Sequence, residues 1–327
     1  MTSLGIVVNP MSGRDVRRVA ARASITSHHD KQQHVTRLVL GALAQGVERI
    51  YLGNEPFRIN ERAIENLPER NQVEILSYPL THTARDTTTM VKMMWDKGCR
   101  TFIVLGGDGT SRIVAAALPD AVILPLSTGT NNVFPVWCEA SVAGAAAGMI
   151  ASQQLDYRTH CFRCKQIHVE LPDGSRDIAL VDAVLLRNDM LGSYLPFAGK
   201  NIAELLLTRA EPASVGMSPI GGYLLPCHER DPFGVAVSCQ ADSERQLRIP
   251  ISPGLYDHVG ITDIRRVEPG ARLTWHGPGL LAFDGDRSHQ IDSNQFANVW
   301  VEADGPWIIN PAQVLESAAL SGNLGKP

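Results

Sequence analysis

Residues 102–118 read FIVLGGDGTSRIVAAAL. An apolar run ends in three glycines around one aspartate, and an alanine-rich segment with helical spacing follows. A strand that ends in a glycine turn and opens a helix makes a corner suited to anions. The first N–H groups of the helix are unpaired, they carry the positive end of its dipole, and glycine lets a ligand come close. Asp108 places a carboxylate in that corner, where phosphate would repel it unless something compensates. Either Mg²⁺ bridges the charges, or the carboxylate takes the proton of a hydroxyl that attacks a phosphoryl group. Both uses belong to phosphoryl transfer. A role as a mere helix cap competes, but Thr110 and Ser111 stand nearer the start of the helix expected over 113–118.

Outward from this stretch, short apolar runs alternate with helical patterns. Strands are expected over 4–8, 49–52, 73–76, 101–105 and 121–124. Helices are expected over 15–23, 35–45, 59–67, 84–97, 113–118 and 141–152. Apolar runs of four or five residues between helices mark a parallel sheet covered on both faces, whose ligands bind beyond the carboxyl ends of its strands. Two more turns of the same kind stand at that edge: VVNPMSGR (7–14) and PLSTGTNN (125–132). No G-x-x-x-x-G-K-[ST] occurs, no G-x-G-x-x-G/A follows the first strand, and G-x-S-x-G is absent. The phosphate corner is therefore of another kind.

From about residue 163 the rhythm changes to short β-like runs separated by Pro and Gly. They lie near 166–171 and 178–187, joined by Pro172-Asp173-Gly174, and over 235–238, 247–251, 272–275, 280–283 and 299–302. One segment, 201–208, reads as helical, and the tail NPAQVLESAAL is helical again. The expected architecture is an α/β domain with a doubly wound parallel sheet over 1–150. A mostly antiparallel β-sandwich domain follows over 151–305, and a helix over 306–327 packs back on the first domain.

The 327 residues suit about two domains. Acidic residues outnumber basic ones 34 to 30, which argues against nucleic acid and membrane surfaces as partners. Arg14, Arg17, Arg18 and Arg22 read as the solvated face of a helix. There is no signal-peptide pattern and no apolar run near the roughly 20 residues needed to span a bilayer. Six scattered cysteines fit reduced thiols, so a cytoplasmic location is expected.

Together these residues resemble the superfamily of NAD kinases and diacylglycerol/sphingosine-type lipid kinases. Gly106-Gly107-Asp108-Gly109-Thr110 matches its GGDGT motif. Asn9-Pro10-Met11-Ser12-Gly13 resembles the NPxSG element of the lipid-kinase branch, and Thr128 to Phe134 resembles that branch's GTxNDF segment. Phe283-Asp284-Gly285-Asp286 is similar to the DG(E/D) element of the β domain. NPMSGRD and ASVGMSPIGG (213–222) resemble the AcoX group, ATP-NAD kinase-like proteins linked with acetoin catabolism.

The resemblance implies an ATP-dependent kinase that uses Mg²⁺, with Asp108 as general base or metal organiser. It implies that Asn9, Ser12, Gly13, Gly106, Gly107, Gly109, Thr110, Thr128, Gly129, Thr130 and Asn131 hold the ATP phosphates. Asn188 and Asp189 would hold the substrate, like the Asn-Glu pair of NAD kinases, while Asp284 and Gly285 close the site. The leading acceptor is the 2′-OH of NAD. A lipid or small-alcohol acceptor and a non-catalytic nucleotide sensor are the alternatives, and a homo-oligomer is expected. Four departures bear on the acceptor: Asp189 is shorter than the NAD kinase Glu, the GSTAY stretch of those enzymes has no clean match, and two more concern the phosphate turns. Ser111-Arg112 replaces the usual apolar and polar residues after GGDGT, and Asn132 replaces the lipid-branch aspartate. Arg112 could replace a lost metal-organising group with a positive charge directly on a phosphate, or it could simply face solvent.

Smaller signals read as structural. Cys161-x-x-Cys164 with His160 and His168 lacks a second CxxC for zinc. Met90, Met93, Met94 and Trp95 are spaced like the packing face of a helix. His289 lies close enough to Asp284 in sequence to reach the same cleft.

Overall fold

Strand β1 (Ser3–Val8) is apolar and buried from Leu4 onward because it runs through the middle of a sheet. The computed structural model describes residues 1–13, 26–128, 132–193 and 195–323. The predicted helix 15–23 and its arginines lie outside the described residues. β2 (Arg49–Gly53) and β3 (Val73–Leu76) extend the sheet on one side of β1, and β4 (Thr101–Gly106) and β5 (Val122–Ser127) extend it on the other. These five strands are parallel. The order β3-β2-β1-β4-β5 reverses direction between β1 and β4, and a crevice opens at such a reversal.

Both faces are covered. Helices α1 (His28–Leu43), α2 (Ile59–Ile64) and α5 (Ala140–Ala151) pack on one face through Val35, Leu38, Ile59, Ala143 and Ala147. Helices α3 (Ala84–Asp96) and α4 (Asp108–Ala117) pack on the other through Met90, Met94, Val114 and Ala115. Helix α1 starts seven residues before the expected position. Its apolar stripe begins at Val35, but Ser27 and Asp30 form a capping box upstream that fixes the start. Helix α4 also starts early, with Gly107 as its N-cap, so Asp108 is its first residue and not a residue outside it.

The short helix α6 (Tyr157–His160) leads into β6 (Cys161–Arg163), which joins the edge of this first sheet. The chain then builds two antiparallel sheets. β7 (Gln166–Glu170) and β8 (Arg176–Ala179) belong to a four-stranded sheet with β14 (Leu273–His276) and β17 (Phe296–Glu302). β9 (Asp182–Leu186), β10 (Ile202–Leu207), β11 (Gly234–Cys239), β12 (Gln246–Ser252), β13 (Leu255–Val267), β15 (Gly279–Phe283) and β16 (Asp286–Ile291) form the larger one. Ile167, Val299, Leu206, Leu281 and Phe283 fill the space between the sheets. Ile220, from the short helix α7 (Ser218–Gly222), helps cover the outer face of the larger one. β18 (Trp307–Ile309) returns to the first sheet beside β5, and α8 (Pro311–Leu320) packs Val314 and Ala318 into the first core.

Segment 201–208, expected to be helical, is strand β10 instead. Leu205 and Leu207 face one core while Leu206 faces the other. A strand buried on both faces has a continuous apolar run, and over six residues periodicity cannot separate it from a helix. Among the described residues no helix is long and apolar enough to cross a membrane.

Candidate active site

The crevice between β1 and β4 is where two of the glycine turns meet. The side-chain amide of Asn9 donates to Thr110 Oγ1 at 2.8 Å. Its carbonyl oxygen accepts the N–H groups of Met11 at 2.9 Å and Ser12 at 3.2 Å, which shapes the turn after β1. Ser12 Oγ donates back to the Asn9 carbonyl at 2.9 Å and accepts from Thr128 Oγ1 at 2.8 Å, so the turn after β5 joins the same web. Gly13 has φ +74°, and a side chain there would collide with the Thr128 carbonyl. Beneath the turn, the buried Lys31 donates to the carbonyls of Asn9 at 2.9 Å and Pro10 at 2.7 Å. Gly106 lies against Thr110, and Gly107 lies against the Asn132 side chain. The structure thus gathers Asn9, Ser12, Gly13, Gly106, Gly107, Gly109, Thr110 and Thr128 at one sheet edge. Gly129, Thr130 and Asn131 lie outside the described residues.

Asp108 lines the floor of this crevice. Its carboxylate accepts the N–H of Phe134 at 2.9 Å and that of Val133 at 3.2 Å. It is partly exposed to solvent, although protein surrounds its carboxylate densely. That burial, and the nearby Asp284 carboxylate, push its pKa up to about 7 against the pull of the two N–H groups and of Arg209. A carboxylate with a pKa near neutrality is poised to take and release a proton at physiological pH.

The second domain closes the site from above. Asp284 and Gly285 form the two-residue turn between β15 and β16, both with positive φ, +48° and +87°. Asp284 is buried, and its carboxylate accepts the N–H groups of Leu180 and Val181, both at 2.8 Å, and of Asp182 at 3.2 Å. Burial raises its pKa, and Arg112 opposes that rise. Asp182 is only 7% exposed, and its Oδ1 has no hydrogen-bond partner. Burial, followed by the charges of Asp284 and Asp108, holds its carboxyl well above the usual carboxylate range. The Asp286 carboxylate comes down beside Gly109 in the first turn of α4. Arg112, one helical turn beyond Asp108, reaches up to Asp177 at 3.3 Å and Asp286 at 3.6 Å. Arg209 donates to the Val133 carbonyl at 3.4 Å, and its guanidinium lies 4.8 Å from the centre of the Phe134 ring. It therefore braces the loop that holds Asp108.

Among the described residues no three His, Cys, Asp or Glu side chains form a metal cage. Mg²⁺ commonly meets only one or two carboxylates and takes its remaining ligands from phosphates and water. The unpartnered Asp182 oxygen fits that mode.

Asn188 and Asp189 are not gathered with Asp108. They line an open groove of about 490 Å³ with Leu186, Gly279, Leu280 and Gln290. β9 and β15 run antiparallel, with Leu280 opposite Leu186 and Phe283 opposite Ala183. The groove therefore lies at the end of this pair away from Asp182 and Asp284, about 13 Å along the strands. Asp189 is held by Arg287 at 3.1 Å. His289 does reach the cleft wall, 3.2 Å from Asp177. Cys164 of the CxxC segment is buried, and His168 pairs with Asp304 at 3.0 Å.

Sequence reading missed Lys31, Asp182 and Arg209. Asp182 left a signal, an acidic residue inside the apolar run IALVDAVLL, where an unpaired carboxylate is costly. Lys31 stands in HHDKQQHV, which reads as a solvated helix face, and Arg209 belongs to no local pattern.

Comparison with known proteins gives the family and the fold. A family model described as the ATP-NAD kinase N-terminal domain matches residues 4–154. A second, described as the acetoin catabolism protein X C-terminal domain, matches residues 165–304. The sequence is 32% identical over 298 residues to Acetoin catabolism protein X of Cupriavidus necator, covering 87% of this chain and 83% of that protein. Among solved structures, yeast NADH kinase complexed with NADH matches with a TM-score of 0.58 at 12% identity, over 100% of this chain and 89% of that one. At that identity the likeness is one of fold.

Proposed function

Since the chain belongs to the acetoin catabolism protein X family and has an NAD kinase-like fold, we propose that it is an ATP-dependent kinase that phosphorylates a hydroxyl group. The observation that carries this reading is Asp108. Its carboxylate, with a pKa near 7, lies at the first turn of α4, which Asn9 ties to the turn after β1 and to which Ser12 and Thr128 add hydroxyls.

In this mechanism the turn after β1 and the first turn of α4 hold the phosphates of ATP through backbone N–H groups and the hydroxyls of Ser12, Thr110 and Thr128. Asp108 accepts the proton of the acceptor hydroxyl as that oxygen attacks the terminal phosphorus. Asp284 fixes the hairpin over the site and keeps the reacting groups in register, which is where most of the rate gain in phosphoryl transfer arises. Asp182 and Asp286 would meet Mg²⁺, which when bound offsets the charge of the phosphates.

The leading acceptor is the 2′-OH of the NAD adenosine ribose, which would yield NADP. One observation favours a second acceptor class: Asp189 is bound to Arg287 and lies apart from Asp108. A small alcohol would not need that pair. Purified protein with ATP, Mg²⁺ and NAD, read by an NADP-specific coupled reaction, tests the first acceptor. NADP formed by the natural chain and lost in Asp108→Asn supports it. ATP binding with no NADP formed rejects it, and small alcohols become the next acceptors to assay.

A further inference from the structure

We propose that Arg112 binds the phosphoryl group in transfer and carries its charge, and that Asp177 holds the guanidinium at the cleft wall until a phosphate arrives. This rests on the phosphotransfer reading above and adds a second catalytic residue to it.

Four observations converge. Arg112 is four residues after Asp108 in α4, so the two side chains share a helix face directed at the cleft. Its side chain is 13% exposed, yet its contacts are long: 3.3 and 3.4 Å to the Asp177 oxygens, 3.5 Å to the Ile178 carbonyl and 3.6 Å to Asp286. Charge-assisted bonds built for strength close to about 2.7–2.9 Å. Its Nε is buried with no partner, so the five-donor guanidinium has capacity left over. Finally, the Asp286 oxygen that Arg112 approaches lies beside Gly109, at the phosphate corner itself. A modest rotation of the side chain carries the guanidinium from Asp286 to a phosphate seated on that turn.

The charge balance points the same way. Asp182 feels the charges of Asp284, Asp108 and Asp286, and Arg112 stands between Asp177 and Asp286, so a triphosphate entering here needs positive charge to meet it. His289, 3.2 Å from Asp177, steadies the carboxylate that holds Arg112 in waiting. In the transfer step the acceptor oxygen forms a bond to the terminal phosphorus and its proton passes to Asp108. The bond from phosphorus to the bridging oxygen breaks, and its electron pair leaves with ADP. Arg112 neutralises the charge spread over the three equatorial oxygens.

A strut between the domains and a phosphate ligand predict opposite signs for one variant. Binding of ATP and of ADP is measured by calorimetry in the presence of Mg²⁺ for the natural chain, Arg112→Met and Asp177→Asn, with melting curves for each. Turnover is followed alongside. Arg112→Met is expected to abolish the preference for ATP over ADP and to slow turnover by about a hundredfold or more. Asp177→Asn, which frees the guanidinium, is expected to tighten ATP several-fold and leave ADP unchanged. If Arg112→Met keeps the preference and turnover stays within twofold, the proposal falls while the kinase reading stands. If Arg112→Met does not fold, Asp177→Asn decides: weaker ATP binding means a strut, and overturns the proposal. Loss of the ATP preference in a chain that never forms product would uphold the phosphate contact and sink the kinase reading. A natural chain that binds no ATP sinks both.

Discussion

The side-chain amide of Asn9 donates to the Thr110 hydroxyl at 2.8 Å and ties the turn after β1 to the first turn of α4 across the crevice. Asn9 also shapes its own turn by accepting from Met11 and Ser12. Asn9→Ala removes both functions and leaves the half-buried Ser12 N–H without its partner. It is expected to lower stability by roughly 1–3 kcal/mol and to weaken ATP binding by more than tenfold. Thr110→Ser, which keeps the hydroxyl, should bind ATP nearly as the natural chain does. Calorimetric titration of both variants checks this, and unchanged affinity in Asn9→Ala would mean the turn does not hold phosphate.

Asp108→Asn tests the general base. The amide oxygen can still accept from Phe134, so the loop over 132–134 keeps its anchor. A carboxyl whose pKa burial has raised also gains little by being charged. Folding and ATP binding should therefore survive, while turnover falls by about 10²–10⁴. Retained turnover in protein free of contaminating kinase would end the assignment.

The same group sets a pH dependence. With the Asp108 pKa up at about 7, the ionised base becomes scarcer as pH falls below that value. The ratio kcat/KM is expected to drop about tenfold per unit below pH 7 and to level off above it. Stability runs the other way. The folded pKa is above the ordinary value of 3.8, so between 3.8 and 7 the folded chain holds a proton that the unfolded chain has released. Its contribution is greatest at the acid end of that window and fades as pH rises through 7. Asp108→Asn should thus become more stable relative to the natural chain from pH 5 to pH 7.5, as read from urea midpoints. A gap that does not widen would show that the carboxyl is not perturbed.

How much of this was legible depends on how local each cause is. The parallel sheet could be read from apolar runs between helices, whereas Asp284-Gly285 stood out only through its resemblance to a family element. The glycine turns at the sheet edge were legible because glycine, serine and asparagine suit those positions for backbone reasons. What stayed hidden is set by neighbours distant in sequence. β10 looks helical until the separate cores on its two faces explain Leu205, Leu206 and Leu207. Lys31 looks solvated until the chain folds Asn9 and Pro10 over its ammonium group. The ion pair of Asp189 with Arg287 joins residues 98 positions apart, and no local pattern announces it.

Asp284 carries the last prediction, because its carboxylate is the acceptor for three consecutive buried N–H groups, those of Leu180, Val181 and Asp182. Its φ of +48° also matters, since Asn and Gly tolerate that conformation better than Ala. Asp284→Ala orphans all three donors and strains the turn, and should cost about 3 kcal/mol or more. Asp284→Asn keeps one acceptor oxygen and the turn geometry, but its amide faces at least one of those N–H groups. It should therefore fall between the natural chain and the alanine variant. If this hairpin also closes the site, both variants lose ATP affinity in the same order as they lose stability. Urea unfolding and ATP titration on the three proteins decide the matter, and an alanine variant as stable as the natural chain would show that these hydrogen bonds do not hold the hairpin down.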